Sequence, residues 1–283
     1  MPGPPTARGP LRVARRVRRE RLLKRAKRRV YLKSEEELQA MRRANQLVAS
    51  TLRLLRAAVR PGISTAELDQ IAEENIRDQG GVPSFKGYHG FPASACISVN
   101  DQVVHGIPGP RRLQEGDIVS IDLGAIVDGF HGDSAITVPV GTISDAARAL
   151  IYHTYRALWE GIAQAVVGNR VGDISHAVQR YAEAQGYSVV RELVGHGIGR
   201  SMHEEPQVPN YGPPGRGPAL MPGMTLAIEP MVNLGRPEIE VAADQWTVST
   251  QDGKVSAHFE HTIAVTLDGP RILSEWPDQE EPI

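Results

Sequence analysis

Two aspartates in one short segment, Asp122 and Asp133, are the first residues whose type and spacing could support chemistry. They lie in two apolar runs joined by Asp128–Gly129, and Asp-Gly between apolar runs predicts a β-hairpin because both positions tolerate positive φ. A turn centred there places Asp122 opposite Ala135 and Asp133 opposite Gly124. Both carboxylates then share one face, roughly 7–8 Å apart at the backbone. Like charges so placed repel unless a cation lies between them, although two solvent-facing acids would give the same pattern.

Four further residues stand in segments that favour a site. His196 lies among glycines in V-G-H-G-I-G, and His105 ends a predicted strand in V-V-H-G-I-P. Glu229 ends a strand in I-E-P, and Glu260 begins one in F-E-H-T. Taken singly, each has an ordinary structural explanation, such as a packed histidine, an exposed strand end or a salt-bridge partner.

Taken together, the candidates form a set of four carboxylates and one imidazole: Asp122, Asp133, His196, Glu229 and Glu260. Oxygen ligands with a single nitrogen favour Mn, Fe(II) or Co over a thiolate-type zinc site. Two ions about 3.5–4 Å apart need bridging carboxylates, and spare acids are present to supply them. Such a pair binds a water, lowers the pKa of that water and polarises a carbonyl.

The elements that must position these residues occur in two similar series. Ser34 with Glu37 forms a capping-box pattern that opens a long helix, and Ser64 or Thr65 caps a second helix near 66–79. Short strands and the Asp hairpin follow. After Ser144 the order recurs, with helices predicted near 145–167 and 174–185 and then strands, so the chain has a weak internal repeat of about 110 residues. The pattern favours two fused α+β halves with a site between them.

The order of several motifs resembles a known family. The stretches Y-H-G-F-P-A-S-A-C-I-S-V-N, V-V-H-G-I-P, G-D-I-V-S-I-D-L-G, D-G-F-H-G-D, V-G-H-G-I-G, M-H-E-E-P-Q-V, L-A-I-E-P and F-E-H-T together are similar to type I methionine aminopeptidases, across roughly residues 34–277. The resemblance implies an α+β pita-bread fold, in which two pseudo-symmetric halves share a curved, mostly antiparallel sheet covered by helices. It also implies removal of the N-terminal methionine from nascent proteins when the second residue is small.

The resemblance assigns a role to each matching position. It makes the five residues of the set ligands of two divalent ions (Co, Mn, Fe(II) or Zn), with Asp133 and Glu260 bridging. Glu229 also takes the proton of the attacking water, while His105 and His203 hold the substrate amine or amide and stabilise the tetrahedral intermediate. The methionine pocket is implied to contain Phe85, Tyr88, Phe91, Cys96, Met202 and Trp246.

Three further points of the resemblance concern this chain in particular. Phe85 occupies a pocket position where relatives often carry a small residue, so its ring either narrows the entrance or stacks on the methionine. Met202 stands where an aromatic residue is common. Asn100 and Ser256 lie where the family binds a monovalent cation through backbone carbonyls.

The charge of the chain is unevenly distributed. Residues 1–33 hold 13 Lys/Arg against the single acid Glu20, although the formal net charge of all 283 residues is −1. We expect a basic N-terminal extension at 1–33, a catalytic domain at 34–277 and an acidic tail at 278–283. The basic arm, 11–33, is predicted to contact the ribosome through ribosomal RNA, and the alternative is a solvated tail without a partner.

Composition also bounds the compartment and the assembly. No run approaches the roughly 18 apolar residues of a membrane span, and the N-terminus lacks the apolar segment of a secretory signal. Little serine and no clear apolar face count against a transit peptide. The single cysteine, Cys96, cannot form an internal disulfide, which fits a reduced cytoplasmic setting. We expect a monomer, because nothing resembles a coiled-coil seam.

Two other functions remain open. A prolidase or aminopeptidase P would share the fold, but those enzymes usually carry a large extra N-terminal domain and a different histidine pattern. A non-catalytic pita-bread relative that binds RNA or ribosomes typically loses metal ligands, whereas all five candidates are present here.

Overall fold

The computed structural model describes residues 30–275, so most of the basic arm and the whole acidic tail lie outside the described residues. Four helices are present in this range: α1 Glu35–Ala58, α2 Thr65–Asp78, α3 Asp145–Ala163 and α4 Val171–Ala184. A 3-10 turn spans Tyr88–Gly90. No helix between residues 30 and 275 combines the length and apolar character that crossing a bilayer requires.

The strands are short except for one hairpin. They are β1 Val82–Pro83, β2 Ala95–Val99, β3 Gln102–Val104, β4 Ile118–Val127, β5 Phe130–Pro139, β6 Ser188–Val189, β7 Val194–Gly197, β8 Glu204–Pro209, β9 Thr225–Ile228, β10 Met231–Asn233, β11 Ile239–Val241, β12 Val248–Thr250, β13 Ser256–His258, β14 Glu260–Thr266 and β15 Gly269–Ile272. All pairings between these named strands are antiparallel.

The main sheet has nine strands in the order β1-β4-β5-β14-β9-β7-β8, with β2 beside β4 and β15 beside β14. Two three-stranded sheets, β13-β10-β6 and β11-β12-β3, complete the sheet structure of this region. The principal core contains apolar side chains of all four helices and of the main sheet. The expected α+β architecture with a mostly antiparallel sheet is therefore confirmed.

The helix caps follow the sequence closely in the first half. The Ser34 hydroxyl accepts the Glu37 amide at 3.3 Å, and the Glu37 carboxylate accepts the Ser34 amide at 3.2 Å, which makes the predicted capping box. Ser64 caps α2 in the same way with Glu67. Each box satisfies amide groups that the first turn of a helix leaves unpaired.

The second half differs from the sequence prediction at its helix ends. Helix α3 ends at Ala163 rather than near Val167, because tight turns such as the bond from the Val166 amide to the Gln164 carbonyl replace the helix. Helix α4 begins at Val171, since Asp173 accepts the Arg170 amide from inside the first turn instead of standing before the helix. The predicted pair of helices in each half is confirmed.

Candidate metal centre and active site

The β4–β5 hairpin presents two of the candidate ligands. Asp128 and Gly129 have φ of 52° and 75°, as the predicted Asp-Gly turn requires. Asp122 pairs with Ala135, and Asp133 pairs with Gly124, which confirms the predicted register. Because alternate residues of a strand share a face, both carboxylates lie on one side of the sheet.

The neighbouring strand β14 brings a third carboxylate to this side. Glu260, its first residue, pairs with Ala135, the same residue that Asp122 faces from the other flank. Asp122, Ala135 and Glu260 therefore form a row across three strands, and Asp133 lies two residues before Ala135 on the same face.

Strands β7 and β9 complete the set. His196 pairs with Ala227, and Ala227 pairs with Thr262, which has the parity of Glu260 along β14. Glu229 follows Ala227 by two residues, just beyond the end of β9. The strand register therefore places all five side chains on one face of the sheet. Four of them belong to β4, β5, β7 and β14, and Glu229 follows the end of β9.

The side chains converge closely. Nε2 of His196 lies 3.6 Å from a Glu229 oxygen and 3.8 Å from an Asp133 oxygen. Asp133, His196 and Glu260 each offer a ligand atom within 4.8 Å of the others. The Gly197 carbonyl, 2.9 Å from His196 Nδ1, can only accept, so Nδ1 carries the hydrogen of this bond. Nε2 then directs its lone pair toward the carboxylates, as in a metal-ligating histidine.

The electrostatics of the site favour a positive charge among these acids whenever they are ionised. Burial raises the pKa of Asp122 to about 7, and burial followed by neighbouring carboxylates raises the pKa values of Asp133 and Glu260. Burial and then Asp122 raise the pKa of Glu229. Within residues 30–275, one oxygen each of Asp122, Asp133 and Glu260 is buried without a hydrogen-bond partner. Orphaned oxygens converging on a neutral imidazole fit divalent cations.

Hydroxyl and amide groups fix the backbone that carries the ligands. Ser134 donates to the Glu260 carbonyl at 2.6 Å, and Thr262 donates to the Asp133 carbonyl at 2.8 Å, so two side chains join β5 to β14. The Asn210 amide donates to the Glu229 carbonyl at 3.1 Å. Such outer contacts orient ligands before a metal binds.

His105 and His203 line the same cavity as the ligand set. His203 Nδ1 lies 2.8 Å from the Tyr88 hydroxyl, and the His203 ring centroid is 4.3 Å from that of His196. His105 follows β3 with φ of 59°. Burial lowers the pKa of both histidines, so both imidazoles are neutral near pH 7 and can exchange hydrogen bonds with a substrate.

An apolar chamber adjoins the carboxylates in a cavity of about 320 Å³. Its buried wall contains Phe85, Phe91, Cys96 and Met202, and Trp246 meets the Phe91 ring edge-on at 5.2 Å. Tyr88 packs against the same cluster. The structure thus brings together all six side chains predicted for the methionine pocket. Phe85 is buried within this wall, which favours contact with the ligand over obstruction of the entrance.

Two histidines of this region were not predicted. His131 shares the face of Asp133 and lies 2.9 Å from the Ser84 hydroxyl. His258 is buried with neither ring nitrogen hydrogen-bonded, and its Nε2 is 3.9 Å from Glu229. For His131 the available signal was its two-residue spacing from Asp133 in one strand, which places both residues on one face. His258 and Glu260 lie in the consecutive strands β13 and β14, so strand alternation gave no such signal for His258.

Asn100 and Ser256, which were predicted to bind a monovalent cation, are joined by a backbone hydrogen bond. The Ser256 amide donates to the Asn100 carbonyl at 2.9 Å, and the Ser256 hydroxyl donates to the Asn233 side chain at 2.8 Å. Asn100 has φ of 61° and turns the chain from β2 to β3. These contacts hold the turn beside β13, and the monovalent cation stays a prediction.

Comparisons with known proteins agree with this geometry. The profile of Metallopeptidase family M24 matches residues 39–267. A methionine aminopeptidase of Clostridium perfringens is 56% identical over 245 residues, which cover 87% of this chain and 98% of that protein. The crystal structure of a methionine aminopeptidase from Rickettsia prowazekii has a TM-score of 0.86 at 41% identity, covering 87% of this chain and 100% of that one.

More distant structures share only the fold. The prolidase from Pyrococcus furiosus has a TM-score of 0.72 at 20% identity, and the match covers 87% of this chain but 65% of the prolidase. The pita-bread architecture is therefore common to both groups of proteins. The high identity lies with the aminopeptidases.

Proposed function

The chain belongs to metallopeptidase family M24, and from that premise we propose that it removes the N-terminal methionine from polypeptides whose second residue is small. One observation carries the proposal: the five candidate ligands and an apolar wall line the same cavity. A relative that shares 56% of its residues with this chain over 245 positions is named a methionine aminopeptidase. An unbranched thioether suits a wall of aromatic rings and sulfur.

The enzyme is a hydrolase that requires divalent metal. We assign two ions to Asp122, Asp133, His196, Glu229 and Glu260, with Co, Mn, Fe(II) and Zn as the candidates. When bound, the ions supply an activated water and polarise the carbonyl of the first peptide bond. Asp133 and Glu260 each offer a ligand atom within 4.8 Å of the other and of His196, which supports a bridging role for both.

The other polar groups bind and orient the substrate. Glu229, at the cavity wall, accepts the proton of the water that attacks the first peptide bond. His105 and His203 approach the substrate as neutral imidazoles and hydrogen-bond its amine, its amide and the oxygen that becomes negative during attack. Donors directed at charge that develops only in the transition state accelerate such reactions most.

The alternatives are weaker on specific grounds. Prolidase activity has less support, because identity to the prolidase structure is 20% whereas identity to a methionine aminopeptidase is 56%. A non-catalytic binding protein would not need five converging ligands with orphaned oxygens. The RNA binding that the non-catalytic alternative assumes can still be tested on the basic arm.

We infer that residues 11–33 contact ribosomal RNA, that the protein acts in the cytoplasm on emerging N-termini, and that it is a monomer. The charge of the arm supports the contact with ribosomal RNA, because its cations can neutralise phosphates. Deleting residues 1–29 keeps Val30, which packs on the core, and Lys33. The truncated protein should cleave peptides as the full chain does and lose salt-sensitive binding to ribosomes.

The selectivity for the second residue tests the enzyme directly. Free methionine is measured after incubating the metal-loaded full chain with Met-Ala-Ser or Met-Leu-Ser. We expect release from Met-Ala-Ser alone. Equal release from both peptides would exclude the small-residue preference, and cleavage of neither would exclude the aminopeptidase activity.

A further inference from the structure

The segment 198–203, between β7 and β8, carries two residues of the substrate cavity. Met202 belongs to the apolar wall, and His203 lies between the Tyr88 hydroxyl and the His196 ring. Both are loop residues, so their positions depend on what holds the loop.

One buried ion pair holds the base of this loop. Nζ of Lys33 lies 2.5 Å from Oε2 of Glu204, the residue after His203. The two side chains are only 5% and 8% exposed. The other oxygen of Glu204 accepts the Ser201 amide at 3.2 Å. The Glu204 carboxylate therefore joins the loop backbone to a lysine 171 residues away in the chain.

The surrounding packing leaves this pair little freedom. A Cβ added to Gly199 would lie 2.6 Å from Lys33 Cε and 2.7 Å from Glu204 Oε1, so the loop backbone presses directly on the ion pair. The Lys33 amide donates to the Gly223 carbonyl at 2.8 Å, which fixes the lysine to the turn before β9. The Gly199 carbonyl accepts the His131 amide at 2.8 Å.

We propose that Lys33 is a positioning residue for the substrate, acting through Glu204 to hold Met202 and His203 in the cavity. Removal of one partner leaves the other charge buried and unpaired, and such a charge turns toward water. Because Ser201 is tied to the same carboxylate, the loop moves with it. A displacement of about 1 Å in a substrate-orienting group can reduce the rate about a hundredfold. The proposal rests on the proposed function.

The proposed role of Lys33 concerns the orientation of the substrate and not the binding of metal. His196 and the four carboxylates are held by strands and their ladder, whereas Met202 and His203 depend on the loop. Loss of the ion pair should therefore weaken methionine release without weakening metal binding. A general loss of structure would weaken both.

The test uses full-length Lys33→Met, Glu204→Gln and the double variant, with Arg43→Met as control. Arg43 forms an exposed ion pair with Asp128 at the hairpin turn, so its loss should leave activity at the wild-type level. We expect kcat/KM for Met-Ala-Ser to fall at least about tenfold in each single variant. Glutamine keeps an acceptor for the Ser201 amide, so the double variant, without either charge, should return to within about threefold of wild type.

Mn²⁺ binding, measured by calorimetry, should be unchanged in every variant. Single variants as active as wild type would overturn the role of Lys33, and so would losses matched by weaker Mn²⁺ binding or a double variant no better than the singles. If Lys33→Met does not fold, Glu204→Gln is the single variant that is compared with wild type. A wild-type chain that releases no methionine would overturn the proposed function instead.

Discussion

The buried carboxyl of Asp133 lowers the stability of the metal-free protein, although the proposed metal site needs it. Its carboxyl is 3% exposed, one of its oxygens has no hydrogen-bond partner, and burial and then the charge of Asp122 raise its pKa. A carboxyl whose pKa is higher in the folded than in the unfolded state destabilises the fold once pH rises above the unfolded value. In the proposed metal site, bound ions would offset the charge of Asp133 and so remove this penalty.

Replacing Asp133 by asparagine should therefore stabilise the metal-free protein at high pH. At pH 8 with a chelator, we expect the free energy of unfolding in urea to rise, because asparagine removes a buried charge that the folded state disfavours. The gain should vanish near pH 3, below the pKa of about 3.9 of an unfolded aspartate, because the carboxyl is then largely protonated in both states. Asp128→Asn, at the exposed turn, is the control and should change stability by less than about 1 kcal/mol. Destabilisation by Asp133→Asn at pH 8 would contradict this account.

Phe85 tests the apolar wall. Its side chain is buried beside Phe91, Cys96 and Met202. Phe85→Ala removes contact area from bound methionine, and we expect KM for Met-Ala-Ser to rise about tenfold or more with a smaller change in kcat. Phe85→Leu should have a milder effect. A lower KM for the alanine variant would show that the ring obstructs the entrance.

At the residue scale, hairpin parity and motif order together predicted five side chains that the structure brings to one cavity, and their role as metal ligands stays a prediction. The sequence did not predict His131 or His258. Their importance comes from proximity across strands, His258 to Glu229 and His131 to Ser84, and one strand's spacing does not reveal its neighbours.

The β4–β5 hairpin depends on a glycine, Gly132, at the point where α1 packs on it. A Cβ on Gly132 would lie 2.6 Å from the Asn45 amide nitrogen and 2.7 Å from the Ala44 carbonyl carbon, so α1 packs directly on the backbone of β5. Asn45 in turn accepts the Asp133 amide at 3.3 Å. The helix therefore contributes to the position of a metal ligand.

Gly132→Ala should force α1 away from the sheet. We expect a loss of about 1–3 kcal/mol in urea unfolding, the usual cost of overpacking, together with reduced methionine release. Gly109→Ala is the matched control, because a Cβ there meets nothing within 4 Å. Equal free energies of unfolding for the two variants would show that α1 shifts without loss of stability, which would contradict the prediction.

Elements were predictable where local chemistry decides them. The Asp-Gly turn and the Ser34 capping box are local, and both are confirmed. The sequence offered Ser64 or Thr65 as the cap of α2, and the structure has Ser64 there. Strands β7 and β8 were not predicted, since V-G-H-G and E-E-P-Q-V-P lack a strand pattern and pair because of the sheet around them. The start of α4 was misplaced because Asp173 can act before or within a first turn.

At the scale of the whole molecule, the site lies where the two halves meet. Strand β5 of the first half pairs with β14 of the second through two residue pairs, and the ligands flank that short ladder. The internal repeat predicted two halves and a site between them. It could not predict the contact of Lys33 with Glu204, because residues 171 apart in the chain show no relation in a single sequence.

Metal binding should be linked to proton release by the whole protein. The pKa of Asp122 is about 7 in the metal-free protein and those of three neighbouring carboxyls are also raised, so protons occupy the site at neutral pH. Ligation requires ionised carboxylates. Calorimetric titration with Mn²⁺ at pH 7 in buffers of different ionisation enthalpy should show net proton release, which declines as pH rises. Heats independent of the buffer would contradict protonated ligands.

The most direct test of the account is methionine release from Met-Ala-Ser by metal-stripped protein as Mn²⁺, Co²⁺, Fe²⁺ or Zn²⁺ is added stepwise. We predict no release without metal, recovery with at least one of these ions, and a loss of about a thousandfold in Asp133→Asn under the same conditions, since metal ions supply several kcal/mol to such reactions. Folded wild-type protein that releases no methionine with any ion, or releases it equally well without metal, would contradict the central claim.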